Sequence, residues 1–93
     1  MVKLIRVVVS PRIGKKWRAE FDDGTHTDFG AAGMEDYTQH HDKERRERYR
    51  SRHRRDLETG DSKRAGYLSW YLLWGDSTSL ARNLADYRRR FNL

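Results

Sequence analysis

Tyr67, Trp70, Tyr71 and Trp74 stand at i, i+3, i+4 and i+7 within Lys63 to Trp74, a spacing that puts four aromatic rings on one face of a helix. Leu68, Leu72 and Leu73 carry the apolar surface around most of the circumference. A helix of that kind is covered on two sides, so the rest of the chain must supply two surfaces to cover it. The demand is severe because only 35% of the 93 residues are hydrophobic while 37% are charged. A chain this short is one domain spanning residues 1–93. Its three Trp, five Tyr and three Phe compensate for the lean core, since each large aromatic side chain buries about 150–250 Å². Asp61 or Ser62 is placed to cap this helix, Gly66 to admit a close approach of another backbone, and Gly75 to stop the helix as its C′ residue.

The covering surfaces are legible on either side. Lys3 to Val9 is rich in Val and Ile and reads as a strand, with Leu4 and Val8 on one face and Ile5, Val7 and Val9 on the other. Ser10 to Gly14 is a turn. Lys16 to Phe21 alternates, with Trp17, Ala19 and Phe21 opposite Lys16, Arg18 and Glu20. Asp22-Asp23-Gly24 is a strong hairpin signal, and Thr25 to Phe29 is the third strand. Residues 1–30 thus form an antiparallel meander. Gly30-Ala31-Ala32-Gly33 matches no phosphate-cradling motif and is a connector, and Met34 to Thr38 is an irregular turn. Beyond the aromatic helix, Asp76 or Ser77 caps a last helix over 78–91, with Leu80, Leu84, Tyr87 and Phe91 as its apolar stripe.

Between sheet and aromatic helix lies a different kind of segment. Residues 43–55 hold eight Lys or Arg and two Glu, and the rest of the chain balances twelve bases against twelve acids. The net charge of +6 is therefore local, and a local excess points to an anionic partner. A helix over 42–56 is expected, with Asp42 as N-cap, Glu44 in the first turn and cations in the last. Tyr49 is its one large nonpolar body. A helix polar all round is bridging, solvated or held by a partner. Leu57 to Ser62 is a turn-rich break.

No enzymatic signature stands out. Asp36, Asp42, His40 and His41 offer acid–base groups and Ser69 or Thr38 a hydroxyl, but no spacing selects a triad or a paired carboxylate. There is no cysteine and no HExxH motif, and His41 and His53 on one helix would lie about 18 Å apart, too far to share an ion. No catalytic residue, metal, cofactor or small-molecule ligand is assigned. No apolar run reaches the length of a membrane span, and the N-terminal segment lacks a cleavage region, so a soluble, non-secreted protein is expected. Two binding readings are open. The arginines can contact phosphates, with aromatic side chains stacking on bases, or they can form bidentate contacts to carboxylates at a protein interface.

Lys16 to Gly33, with its aromatic strand, Asp-Asp-Gly turn and closing Phe-Gly-x-x-Gly, resembles a segment of a family of small uncharacterised proteins of nucleocytoplasmic large DNA viruses, the group of the chlorella viruses and mimiviruses. Asp36-Tyr37-Thr38-x-His40-x-Asp42, then Arg45-Arg46, Arg48-Tyr49 and Arg52-His53, is the most specific part of the likeness. Gly66 to Gly75 resembles that family's aromatic helix, and Ser77 to Phe91 its closing one. This chain has arginine where the resemblance leads one to expect more lysine. The resemblance implies a virion component, a minor capsid protein that locks major capsid subunits together from the inner side. It would reside in the virion and, before assembly, inside the infected host.

The expected architecture is α+β: a three-stranded antiparallel meander followed by three helices, over 42–56, 63–74 and 78–91. Trp17, Phe21 and Phe29 should face Tyr67, Trp70, Tyr71 and Trp74. The expected partner contacts are Tyr37, His41, Arg45, Arg48, Tyr49, Arg50, Arg52, Arg54, Arg88, Arg89 and Arg90, meeting viral capsid proteins or, in the alternative, nucleic acid during genome packaging or regulation.

Overall fold

A computed structural model describes residues 2–93; Met1, the first residue of the expected domain span, lies outside the described residues. Strands β1 (Leu4–Val9), β2 (Lys15–Phe21) and β3 (His26–Ala31) form one antiparallel sheet in the order β1-β2-β3. The β2–β3 hairpin closes at Gly24, whose φ of 85° lies in the left-handed region that glycine enters without steric cost. Asp23 accepts hydrogen bonds there from the Thr25 N–H and hydroxyl. Cross-strand pairs Trp17–Phe29 and Ala19–Thr27 share one face and Arg18–Asp28 the other, as the alternation requires.

β1 departs from simple alternation. The register slips between Leu4 and Arg6, and this bulge turns Leu4 to the side of Val7 and Val9 rather than that of Val8. Leu4 is thereby buried at 1% exposure while Ile5 stands 55% exposed. The expected face sharing of Leu4 with Val8 is corrected by that one extra residue.

Six helical segments follow the sheet among the described residues. Met34 to Asp36 are irregular as expected, but the helical turn α1 (Tyr37–His40) takes over from Tyr37. Asp36 caps it and Gln39 reaches back to the Asp36 N–H, a reciprocal box that satisfies otherwise orphaned donors. α2 (Lys43–His53) begins as expected at Asp42, whose carboxylate accepts from the Glu44 and Arg45 N–H groups at 3.0 and 3.3 Å. It then tightens into a 3-10 helix over Arg54–Thr59, so the segment stays helical past residue 56.

The aromatic helix is compound. α3 (Ala65–Leu68) passes into a π-helix over Ser69–Leu73, in which the Trp74 N–H reaches the Ser69 carbonyl at 3.1 Å. Its first turn has no side-chain cap; Asp61 instead accepts from the Lys63 N–H. α4 (Leu80–Phe91) is capped by Ser79, two residues later than expected, through a hydrogen bond from the Arg82 N–H.

Two faces of the aromatic segment are covered, but the division is the reverse of the expected one. Leu68, Leu72 and Leu73 enter the core with Leu4, Ala19, Phe21 and Phe29 of the sheet and Tyr87 of α4. Trp70, Tyr71 and Trp74 are only partly buried and turn to the flanks, where Tyr67 and Tyr71 meet the edge of Phe91. A stretch apolar all round can present either side to a sheet.

Gly75 does not take the left-handed conformation of a C′ residue. Its α-carbon packs so close to the preceding turn that a Cβ would lie 2.3 Å from the Tyr71 carbonyl oxygen. Asn83, 1% exposed, ties this corner to α4. Its amide donates to the Leu72 and Ser77 carbonyls at 2.9 and 2.7 Å and accepts from the Ser77 N–H at 3.1 Å. No helix among the described residues is long and apolar enough to cross a membrane.

Candidate binding cleft

With no buried residue of its own, α2 must be held from one flank. The Tyr49 ring lies between His53 and Trp74, with centroids 4.1 and 4.3 Å away. Next to it on the helix surface, Arg50 donates from Nε to the Trp74 carbonyl at 2.9 Å and from Nη2 to Asp76 at 3.1 Å. Arg46 reaches the Gly75 carbonyl at 3.3 Å and lies 4.7 Å over the Tyr37 ring. The two guanidiniums clamp residues 74–76 through the Trp74 and Gly75 carbonyls and the Asp76 carboxylate.

Arg45, Arg48 and Arg52, at i, i+3 and i+7, occupy the opposite flank. No intramolecular acceptor meets their guanidiniums among the described residues. They form one wall of a cleft of about 560 Å³ whose other wall is the start of β2 at Lys15 and Lys16. Lys16 is fixed by Asp36 and Gln39, each at 2.7 Å, whereas no carboxylate pairs with Lys15 among the described residues. Ala65, Gly66, Ser69 and Leu73 lie on the floor between the walls. Gly66 is required there because a Cβ would lie 2.7 Å from that of Asp56; the close approach is to a side chain rather than a backbone.

The cleft also carries acid. Glu35, Asp36 and Asp56 line it beside the cations, and His53 Nδ1 lies 3.1 Å from Asp56. Burial pushes the Tyr49 phenol up to about 12, which keeps it neutral throughout the physiological range. His40 accepts the Asp42 N–H at Nδ1, leaving Nε2 buried without a partner. Burial, seconded by Arg45, lowers its pKa. His40 lies behind Trp74, with ring centroids 5.3 Å apart, and among the described residues no carboxylate hydrogen-bonds to its ring, although the charges of Asp42, Glu35 and Asp36 act on it against burial. No group of three or more His, Cys, Asp or Glu among the described residues is placed to hold a metal ion.

The expected contact residues thus separate. Arg45, Arg48, Arg52 and Tyr49 line the cleft. Arg50 is tied into the fold, and Tyr37 is buried at 4% exposure, so it anchors α1 and Arg46 rather than offering a surface. His41 is exposed in a left-handed conformation that ends α1, outside the cleft. Arg54 is exposed where α2 gives way to the 3-10 helix. Of the α4 cluster, Arg88 donates to the Leu4 carbonyl, Arg89 pairs with Asp86 and Arg90 lies over Tyr71. Both faces of the Tyr49 ring are occupied, by His53 and Trp74. Lys15 and Lys16 were not singled out from sequence; their adjacency at the start of an alternating strand was the available signal.

The chain matches no curated protein and no solved structure. A family model does match, over residues 5–53, which carry β1 through α2. Both cationic walls of the cleft lie in the matched region, and the floor lies beyond it. The match covers more than half of the chain, and the chain therefore belongs to DUF5754, a family of unknown function.

Proposed function

We propose that this protein is a non-catalytic docking module that grips an acidic surface of a protein partner through α2. The carrying observation is the division of the arginines: Arg46 and Arg50 are consumed by the fold, while the guanidiniums of Arg45, Arg48 and Arg52 line the cleft together with no acceptor among the described residues. Arginine forks held on a helix suit carboxylates at an interface. The resemblance to proteins of large DNA viruses suggests the setting: a minor capsid protein in the virion, cementing major capsid subunits from the inner side.

A second reading, nucleic-acid binding in genome packaging or regulation, draws on the same three cations. Two features weigh against it. The aromatic faces that would stack on bases are occupied, and Glu35 and Asp56 share the cleft, where they would repel a continuous phosphate backbone. Fluorescence anisotropy with a labelled DNA duplex separates the readings, because phosphate contacts weaken steeply with salt. The docking reading expects duplex binding to vanish at physiological salt. Sub-micromolar binding that survives there would replace it with the nucleic-acid reading.

A further inference from the structure

We infer that the cleft between α2 and the start of β2 is a receptor for an extended acidic peptide segment of the partner, one that inserts a single apolar side chain. This rests on the docking reading and makes it specific. Arg45, Arg48 and Arg52 span about 10 Å along the helix axis at 1.5 Å per residue. Alternate residues of an extended peptide repeat at about 6.6 Å, so two carboxylates on one side of such a segment fall within reach of the three guanidiniums. Lys15 stands on the facing wall. Ala31, Met34 and Ala65 supply accessible apolar lining, and a cleft of about 560 Å³ has room for a large side chain with its flanking backbone.

The acids in the cleft choose between peptide and phosphodiester. A peptide brings carboxylate acceptors for the arginines and also backbone N–H donors, which Glu35 and Asp56 can accept. A phosphodiester strand brings acceptors along its backbone and leaves those two carboxylates facing like charge. The cleft's mixture of donors and acceptors matches only the first.

The probe is a fluorescein-labelled peptide of alternating glutamates around a central leucine, titrated at physiological salt against the full chain. Single-stranded oligothymidylate and inorganic tripolyphosphate serve as competitors. Wild-type protein should bind the peptide, and Arg48→Ala and Arg52→Ala should each weaken it about tenfold, as loss of a charge-assisted hydrogen bond would. Replacing the leucine by serine should also weaken binding about tenfold, the effect of an unburied leucine. Ser69→Trp, which fills the floor, should abolish binding; if that variant does not fold, the serine peptide decides the same point. Binding that needs Arg48 and Arg52 but ignores both Ser69→Trp and the serine exchange overturns the cleft while leaving docking along α2 intact. Tighter binding of oligothymidylate or tripolyphosphate than of the peptide overturns both. Absence of peptide binding to the wild-type chain overturns the inference.

Discussion

The rings of Tyr49 and Trp74 lie parallel within 5° at a centroid separation of 4.3 Å, and this stack is the principal apolar bond between the arginine-rich helix and the rest of the molecule. Tyr49→Ala removes it together with the His53 contact. Tyr49 is half-buried, so we expect a loss of about 2 kcal/mol, below the range for truncating a fully buried aromatic side chain. Urea denaturation followed by tryptophan fluorescence measures it, and Tyr49→Leu should recover about half through plain burial.

The two arginine flanks of α2 should behave oppositely in a stability assay. Arg46→Ala strips a donor from the Gly75 carbonyl and Arg50→Ala strips donors from the Trp74 carbonyl and the Asp76 carboxylate, and each is expected to cost about 1–2 kcal/mol. The combined Arg45→Ala, Arg48→Ala, Arg52→Ala variant should change stability by no more than about 0.5 kcal/mol per site. Thermal melts of the two sets check the division directly; a triple variant as unstable as Arg50→Ala would show that the cleft arginines are structural.

Gly75→Ala places a methyl 2.3 Å from the Tyr71 carbonyl, against backbone that has no free end to swing aside. We expect loss of cooperative unfolding, or destabilisation above about 4 kcal/mol. Gly33→Ala meets open space at a φ of 84° and should cost only about 1 kcal/mol, for the left-handed conformation alone. Circular dichroism melts of the pair separate steric from conformational demand.

Acid should weaken the fold through Asp28. Hydrogen bonds from Arg18 at 2.8 and 3.1 Å hold its carboxyl down to about 2, with Ser10 adding to the effect against burial. A carboxylate whose folded pKa lies below its unfolded value stabilises fully above about pH 4 and loses that contribution as pH falls toward 2. Asp28→Asn should flatten the pH dependence of the urea midpoint over that interval and lower the midpoint at neutral pH.

Alkali should act through Tyr49. Its phenol is raised to about 12 by burial, and Tyr87, buried and donating to the Ser62 carbonyl, is raised further. Groups that ionise more readily when unfolded cost nothing below about pH 10 and draw the chain toward unfolding above it. Absorbance titration should show the phenolates of Tyr49 and Tyr87 forming together with loss of near-ultraviolet circular dichroism, and Tyr49→Phe should move that transition to higher pH.

The sheet was readable because Lys16 to Phe21 alternates without exception and Asp22-Asp23-Gly24 permits little else. The bulge beside Ile5 was not, since an apolar run such as Leu4-Ile5-Arg6-Val7 reads equally well in two registers. α1 had a sequence signature, Asp36 with Gln39 three residues on, but too few residues for any apolar period to announce it. The aromatic helix was legible as a buried element, yet its leucine and aromatic faces are equivalent until the sheet and α4 exist to choose between them. The same holds for the site. Helical spacing assigns Arg45, Arg48 and Arg52 to one side and Arg46 and Arg50 to another, but only the position of Trp74 says which side is inward.

That α2 buries no residue has a consequence for its motions. Local opening free energies range from near zero up to that of global unfolding, and segments with few buried contacts lie at the low end. Once the Tyr49 ring slips off Trp74 and the Arg46 and Arg50 contacts to residues 74–76 open with it, little else keeps α2 in place, while the leucine core beneath the sheet is untouched. The amide protons of α2 should therefore exchange with solvent deuterium through a subglobal opening, far faster than those of β2. A ligand that seats on the arginines would have to draw from that ensemble the closed form alone, and its arrival would be visible as protection spreading along a helix the isolated chain leaves ajar.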